Sequence, residues 1–466
     1  MKHIRILALL AAALLLFSLL GCSKEQEEGP KGKELKVYEG EQPVDLQGYE
    51  FTVIDFWNIH WNRDQTSHTP YTDAWTTVLD EVEGLYNCTI SPTYISAGEI
   101  FDKVQPEVAA GEKGFDLICT TQWGVGYFIG GGYLMDLNTL DVDWDAPYWN
   151  QNIRTCTTVE GHTYAGGGPF IFDSQSTWMI YYNNTIWDEL GLPDPYKLVW
   201  DGKWTIDRMS EYATMAKMDR DGDGIVSSAE DRWGLVTAEG DFIRSNLLGM
   251  EGHYFTTDPK TGRVKLACDN THTFDIVEKL HNFMNVSGSF YFNPQQNETQ
   301  RVQMFVDGNT LFYAYMPGMS QLKNMEDDWG VLPLPKFDEN QKDYLTGIDQ
   351  NAFVFGVTST NKNTREVSIL LKALGLHAQI LEEIYWPDYK ETYWRHEEQD
   401  TAIMRECVVG HGLYDIALLM RNCLNVFWAP VTGIEKAILN ANGDFASYID
   451  AVGDTVQTYV DEYFGY

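Results

Sequence analysis

The sequence predicts an α/β protein built as two lobes, and three observations carry that expectation. Short apolar runs of strand length alternate with helix-period segments over most of the chain, the pattern of α/β layers with largely parallel sheets. About 420 of the 466 residues follow a polar N-terminal stretch, more than one hydrophobic core holds comfortably and enough for two. That length shows no internal repeat and no low-complexity tract.

The N-terminus stands apart from the fold. Lys2 and Arg5 give a basic start, and an apolar run, Ile6–Leu20, follows. The run is short for a membrane span but suits the core of a signal peptide, so residues 1–21 read as a cleaved leader. It stops at Leu19-Leu20-Gly21-Cys22, which resembles the lipobox of bacterial lipoproteins, with Cys22 as the lipidated residue. The alternative is an uncleaved anchor helix. Both place the chain outside the cytoplasm at a membrane surface. Residues 22–46 are charged, dotted with Gly and Pro, and poor in apolar side chains, so they read as a flexible tether.

The balance of 33 basic against 68 acidic residues gives a formal charge of −35. Such a surface repels phosphate backbones, which excludes nucleic acid as a partner class. Beyond Cys22 lie Cys88, Cys119, Cys156, Cys268, Cys407 and Cys423, none in a Cys-x-x-Cys. An exported location permits disulfides, but the spacing names no pairing, and buried free thiols are the expectation for most.

Strands are expected at "YEFTVIDFW" (Tyr49–Trp57), "GFDLICT" (Gly114–Thr120), "STWMIYYN" (Ser176–Asn183), "NTLFYAYM", "WGVLPLP" and "NAFVFGVT". Helices are expected at "DAWTTVLDEVEGLYN" (Asp73–Asn87), "NTIWDELGL" and "REVSILLKALGLHAQILEEIY".

One motif is specific. "DRDGDGIVSSAE", Asp219–Glu230, fills every position of a twelve-residue calcium loop. Ca²⁺ takes six to eight hard oxygen ligands. Asp219, Asp221 and Asp223 occupy the first, third and fifth positions, Gly224 the turn, Ile225 the carbonyl position, and Glu230 the bidentate close. Thr205 can cap the entering helix, whose Ile206, Met209, Tyr212, Ala213 and Ala216 share one face. After Glu230 comes a glycine and an extended run, "LVTAEGDF", rather than an exit helix, and no second loop exists. The expected role is therefore a structural Ca²⁺, not a sensor.

Several segments together carry a resemblance: "GFDLICTTQWG…GGYLMDL", "GHTYAGGGP…TWMIYYNNTIWDELGLPDPYKLVWDGKWTIDRM" and "WGVLPLPKFDENQKDYLTG". From about Gly48 to the C-terminus the chain resembles the extracellular solute-binding proteins of bacterial ABC transporters, in the subgroup similar to the maltose-type receptors. An Asp-rich loop after the Trp-Thr helix also recurs in that family. The resemblance implies the two-lobed type II periplasmic-binding fold, with a hinge between the lobes. It implies crossings near Gly167–Gln175 and Pro333–Pro335, so that 47–170 with 336–385 forms one lobe and 171–335 with 386–466 the other. It also implies a small-molecule solute and transporter permease subunits as partners of a monomer held to the membrane by its lipid.

Ligands of open α/β sheets bind beyond the carboxyl ends of strands. That rule nominates Trp57, Asn58, Thr121, Gln122 and Trp123 in the first lobe, Phe170 and Asp173 at the crossover, Tyr315 after "LFYA", and Asp349 before "NAFVF". Flat aromatics match the apolar faces of sugars, and Asp, Asn and Gln match the hydroxyls. A carbohydrate is thus the expected solute. Trp386 and Trp428 lie in the C-terminal helical region and are left outside the set. The rivals are a secreted glycosidase and a surface sensor on the same fold. The chain has no Gly-x-Ser-x-Gly, no His-Glu-x-x-His and no phosphate loop, and "WRHEEQD" lacks a second histidine, so binding without turnover is the expectation.

Overall fold

A computed structural model describes residues 35–466, apart from 57–60, 62, 64–68, 97–98, 172–175, 421–424 and 441–443, and apart from the side chains of 387–393 and 425–426. The leader, Cys22 and Cys423 lie outside the described residues. From Pro43 onward the chain forms one compact unit. Among the described residues no helix is long and apolar enough to cross a membrane.

Eight strands build two four-stranded sheets. In chain order they are β1 (Tyr49–Asp55), β2 (Cys88–Tyr94), β3 (Leu117–Thr121), β4 (Met179–Asn183), β5 (Trp233–Thr237), β6 (Thr310–Tyr315), β7 (Trp329–Pro333) and β8 (Phe353–Gly356). The first sheet runs β8-β3-β1-β2 and the second β7-β4-β6-β5. Every residue of β3, β4, β5, β7 and β8 is buried, as expected for sheets covered on both faces.

The sheets are less parallel than the sequence suggests. β1 pairs parallel with β2 and β3, and β6 with β5, but β8 is antiparallel to β3, and β4 is antiparallel to both β6 and β7. The reason is topological. β4 and β8 are the two strands that begin where the chain arrives from the other lobe. They run away from the crossover while their neighbours run toward it.

Gly166 still bridges to Phe355 of β8, and Met179 already belongs to the second sheet, so the first crossing falls between them. The second crossing is later than Pro333–Pro335. Residues 336–345, expected in the first lobe, stay bonded to helices beside the second sheet. Ile206 N donates to Lys336 O at 2.9 Å, Gln341 Nε2 to Gly249 O at 2.8 Å, and Tyr344 Oη to Val199 O at 3.0 Å. Pro333 ends β7, and just beyond Pro335 the Lys336 amide donates to Trp204 O at 3.2 Å, so the chain is still beside the second sheet and the prolines do not mark the hinge. The crossing itself runs from Thr346–Gly347, paired with Gly412–Leu413, through Ile348, paired with Thr177, into β8. The C-terminal helices, expected in the second lobe, touch both. Asn285 Nδ2 donates to Leu439 O at 2.8 Å on one side, and Tyr463 Oη to Gly126 O at 3.2 Å on the other.

Local signals are respected. The helix Pro70–Tyr86 starts on a Thr69 capping box and ends at Asn87 in the left-handed region (φ 47°). The long apolar pattern after Asn363 breaks at Ala378 into the helices Thr364–His377 and Gln379–Tyr393. Cys88, Cys119, Cys156, Cys268 and Cys407 carry free thiols, and burial pushes that of Cys268 up to about 12.

One buried acid fastens the segment 397–408 to β7. Asp400 accepts from Tyr196 Oη at 2.7 Å and Val331 N at 3.0 Å on one oxygen, and from His396 N at 3.2 Å on the other. Burial pushes its carboxyl up to about 6, against roughly 3.9 in an unfolded chain. The raised value means that its contribution to stability is complete below pH ~3.9 and is lost as pH rises through ~6. The difference is on the order of 3 kcal/mol. In Asp400→Asn the group cannot titrate. Wild type should therefore lose Tm relative to that variant between pH 4 and 7 in parallel thermal melts. A constant Tm difference across that range would refute this role.

Candidate ligand-binding site

The strand ends of both sheets meet at the crossover. Asp349 lies there, 4% exposed, and one carboxylate oxygen accepts from Trp178 Nε1 at 3.0 Å while the other accepts from Asn351 N at 2.9 Å. Burial pushes this carboxyl above the usual range, and Asp241 nearby adds to the rise. On the first-lobe side, Trp123 Nε1 donates to Asn351 Oδ1 at 3.2 Å, and its partly exposed ring meets Phe56 edge-on at 5.6 Å. On the second-lobe side, Trp178 packs edge-on against Tyr315 at 5.4 Å, and Tyr315 stacks on Tyr313 at 5.8 Å. Burial, with Glu298 and Asp349 nearby, pushes the Tyr315 phenol up to about 12.

A charged group surrounds these rings. β5 ends at Thr237, and the helix Glu239–Gly249 begins with Glu239 and Asp241. Arg244, one turn on, bonds Asp241 and Glu435 and lies 5.4 Å over the Trp428 ring. Arg301 reaches Glu298 at 3.4 Å and Glu239 at 3.7 Å, and Tyr313 Oη donates to Glu298. Both guanidiniums are largely buried, and carboxylates outnumber them, so each is held in a fixed plane rather than left to solvent. Aromatic faces beside planar donor and acceptor groups suit a ligand that presents ring C–H faces and hydroxyls.

Of the residues nominated from sequence, Trp123, Tyr315 and Asp349 come together here. Thr121 and Gln122 sit inside rather than on a cleft surface: both are fully buried, and Gln122 Nε2 donates to Ile348 O at 3.1 Å and to Asp349 O. The start of the helix Gln122–Gly130 turns the Gln122 side chain toward the crossover backbone. Phe170 is core, 1% exposed between Trp61, Trp149 and Phe355. Trp57, Asn58 and Asp173 lie outside the described residues. Trp178, Asp241, Arg244, Asn351 and Trp428 were not nominated. The strand-end rule applied to "LVTAEGDF" reaches Asp241. Trp428 had no signal beyond being a tryptophan.

The acidic loop is helix–loop–strand as read. It is clipped at its base by Met218 and Arg232, which pair both ways at 3.0 and 2.9 Å. Carboxylate oxygens of Asp219, Asp221 and Asp223 lie within 4.8 Å of one another. Ile225 and Glu230 are exposed, and Glu230 is outside that group of three. Asp231, which the motif does not include, accepts from Arg220 N at 3.0 Å and from Ser227 N and Ser228 N at 2.9 Å, and these bonds hold its carboxyl well below the usual range.

A family model for bacterial extracellular solute-binding proteins matches residues 66–374, two thirds of the chain. The chain belongs to that family. Its fold is the two-lobed type II binding fold, and solved structures similar to this solute-binding protein span almost all of it. The cyclic alpha-maltosyl-1,6-maltose binding protein of Arthrobacter globiformis aligns with TM-score 0.59 at 14% identity, over 89% of this chain and 100% of that one. The galacto-N-biose/lacto-N-biose I-binding protein of Bifidobacterium longum, solved with lacto-N-biose, aligns with TM-score 0.59 at 12% identity, over 90% and 98%. The maltose/maltodextrin-binding domain from Bdellovibrio bacteriovorus bound to maltotriose aligns with TM-score 0.51 at 14% identity, over 90% and 100%. No curated protein sequence matches the chain.

Proposed function

We propose that this solute-binding protein captures a carbohydrate between its lobes and delivers it to an ABC importer, with Cys22 as its lipid anchor. The observation that carries the ligand class is the continuous set of contacts from Trp123 through Asn351, Asp349 and Trp178 to Tyr315, with Arg244 and Trp428 beside Asp241. It joins rings from both lobes to fixed planar hydrogen-bonding groups. The carbohydrate ligands named for the similar structures support the same class. Binding without turnover fits the site, because its carboxylates are committed to Arg244, Arg301 and Trp178.

The loop Asp219–Glu230 takes a structural Ca²⁺ in this reading, held by Asp219, Asp221 and Asp223, with Glu230 and the Ile225 carbonyl completing the shell. Hard carboxylate oxygens at this density suit that ion. The loop lies at the far end of β5 from Asp241, so the metal stabilises a connection in the second lobe and takes no part in binding sugar.

Measurements on Trp123, the acidic loop and Cys22 test the reading. Trp123→Ala removes a stacking face, and calorimetric titration should show sugar affinity falling about fivefold to tenfold, on the order of 1 kcal/mol, with the thermal melt retained. An unchanged titration would place that ring on an idle surface. Chelation should lower Tm, and Glu230→Gln should lower it similarly, since a metal bound only to the folded state stabilises by mass action. Sugar affinity measured with and without saturating Ca²⁺ should agree, and a difference of about tenfold, ~1.4 kcal/mol, would speak for a sensor instead. Metabolic labelling with a lipid precursor should mark wild type and not Cys22→Ser; equal labelling would end the lipoprotein assignment.

A further inference from the structure

The crossover has two faces, and the site above uses one. Thr177 and Ile348 are directly paired, so their side chains share one face of the two-stranded crossing, while Trp178 and Asp349, one residue on in each strand, point to the other. On the Thr177–Ile348 face lies a cavity of about 770 Å³, a volume in the range of small-molecule sites. None of the strand-end residues lines it. Its walls come from both lobes: the turn Pro147–Asn152 and the helix Gln379–Tyr393 on the first-sheet side, and Arg405–Gly412, beside β7, on the second.

The lining resembles the first site in kind while sharing no residue with it. Tyr148 and Trp386 supply partly exposed rings, with the buried Trp149 packed against Tyr148; Asn152, Glu383 and Arg405 supply planar polar groups. Asn152 is fixed across the cavity by Nδ2 donating to Gly412 O at 2.6 Å. Among the described residues the side chains of Arg405 and Glu383 make no hydrogen bond or ion pair, with each other or with anything else. A chain with 68 acidic and 33 basic side chains has carboxylates to spare for every arginine. An arginine and a glutamate left apart on the walls of one cavity offer a donor fork and an acceptor to whatever enters between them. A cavity of about 520 Å³ among the described residues around Gln303 and Asp327 has no aromatic ring in its lining and lacks this combination.

We propose that the cavity behind the crossover is a second carbohydrate site, with the rings stacking on the sugar and Glu383 and Arg405 bonding its hydroxyls. The test is calorimetric titration of the full chain with maltose, maltotriose, cellobiose and lacto-N-biose, each to millimolar concentration. It is run on wild type, on Trp123→Ala, and on Trp123→Ala carrying Glu383→Ala and Arg405→Ala. Both added substitutions are at exposed positions, and thermal melts of each variant check the fold. At least one sugar should titrate wild type in two binding steps, and the added substitutions should weaken one step tenfold or more while leaving the step that Trp123→Ala weakens as it is in Trp123→Ala alone. A single binding step in wild type overturns the proposal, and so do two steps that the added substitutions leave unchanged. Glycine or another zwitterion binding Trp123→Ala in place of every sugar overturns the carbohydrate assignment. Failure of the strand-end site is read separately, as a Trp123→Ala titration identical to wild type.

Discussion

The structure hangs on the antiparallel bridge where Thr177 meets Ile348. Both crossings of the chain pass through it, so it sets the direction of the strands that follow it, and β4 and β8 each oppose their neighbours because they start there. Strand alternation then divides the side chains at the bridge into two faces. Trp178 and Asp349 go to one, where the other strand ends of both sheets arrive. Asp349 is the pivotal group: buried, it is held by Trp178 on one oxygen and by the Asn351 amide on the other. A buried carboxyl without those donors would cost several kcal/mol, so the bridge geometry and the burial of Asp349 depend on each other.

This arrangement explains why residues distant in sequence serve one site. Trp123 follows β3, Tyr315 ends β6, and Asp241 opens the helix after β5. All three are delivered to the crossover by strands that run toward it. Trp428 arrives differently, on a C-terminal helix placed beside Arg244 by a cation–π contact and by the neighbouring Glu435. The same helical region reaches the first lobe through Tyr463, so both lobes meet at the crossover and at the C-terminal helices.

Much of the fold was legible because its strands are short apolar runs between clear punctuation, as in "MIYYN" and "WGVLP". β2, "CTISPTY", was missed. It is an edge strand, exposed along much of its length and containing Pro92, which an edge tolerates and a central strand does not. The second crossing was misplaced because proline reports a local φ and a missing donor, and a strand end satisfies both as well as a hinge does. The site was legible in outline only. Strand-end logic names a position in the chain but not the direction of a side chain. Of three consecutive residues, Thr121 and Gln122 turned inward and Trp123 outward. Phe170 shows the opposite limit, an aromatic at the right place in sequence that a cluster of other aromatics holds in the core.

The account rests on the crossover acting as a hinge whose strand-end face closes on a sugar. Small-angle X-ray scattering of the full chain, titrated with the tightest-binding sugar from a calorimetric screen, tests this most directly. The account predicts a radius of gyration that falls with occupancy and saturates with the calorimetric isotherm. Saturation by sugar with the scattering curve unchanged would contradict it.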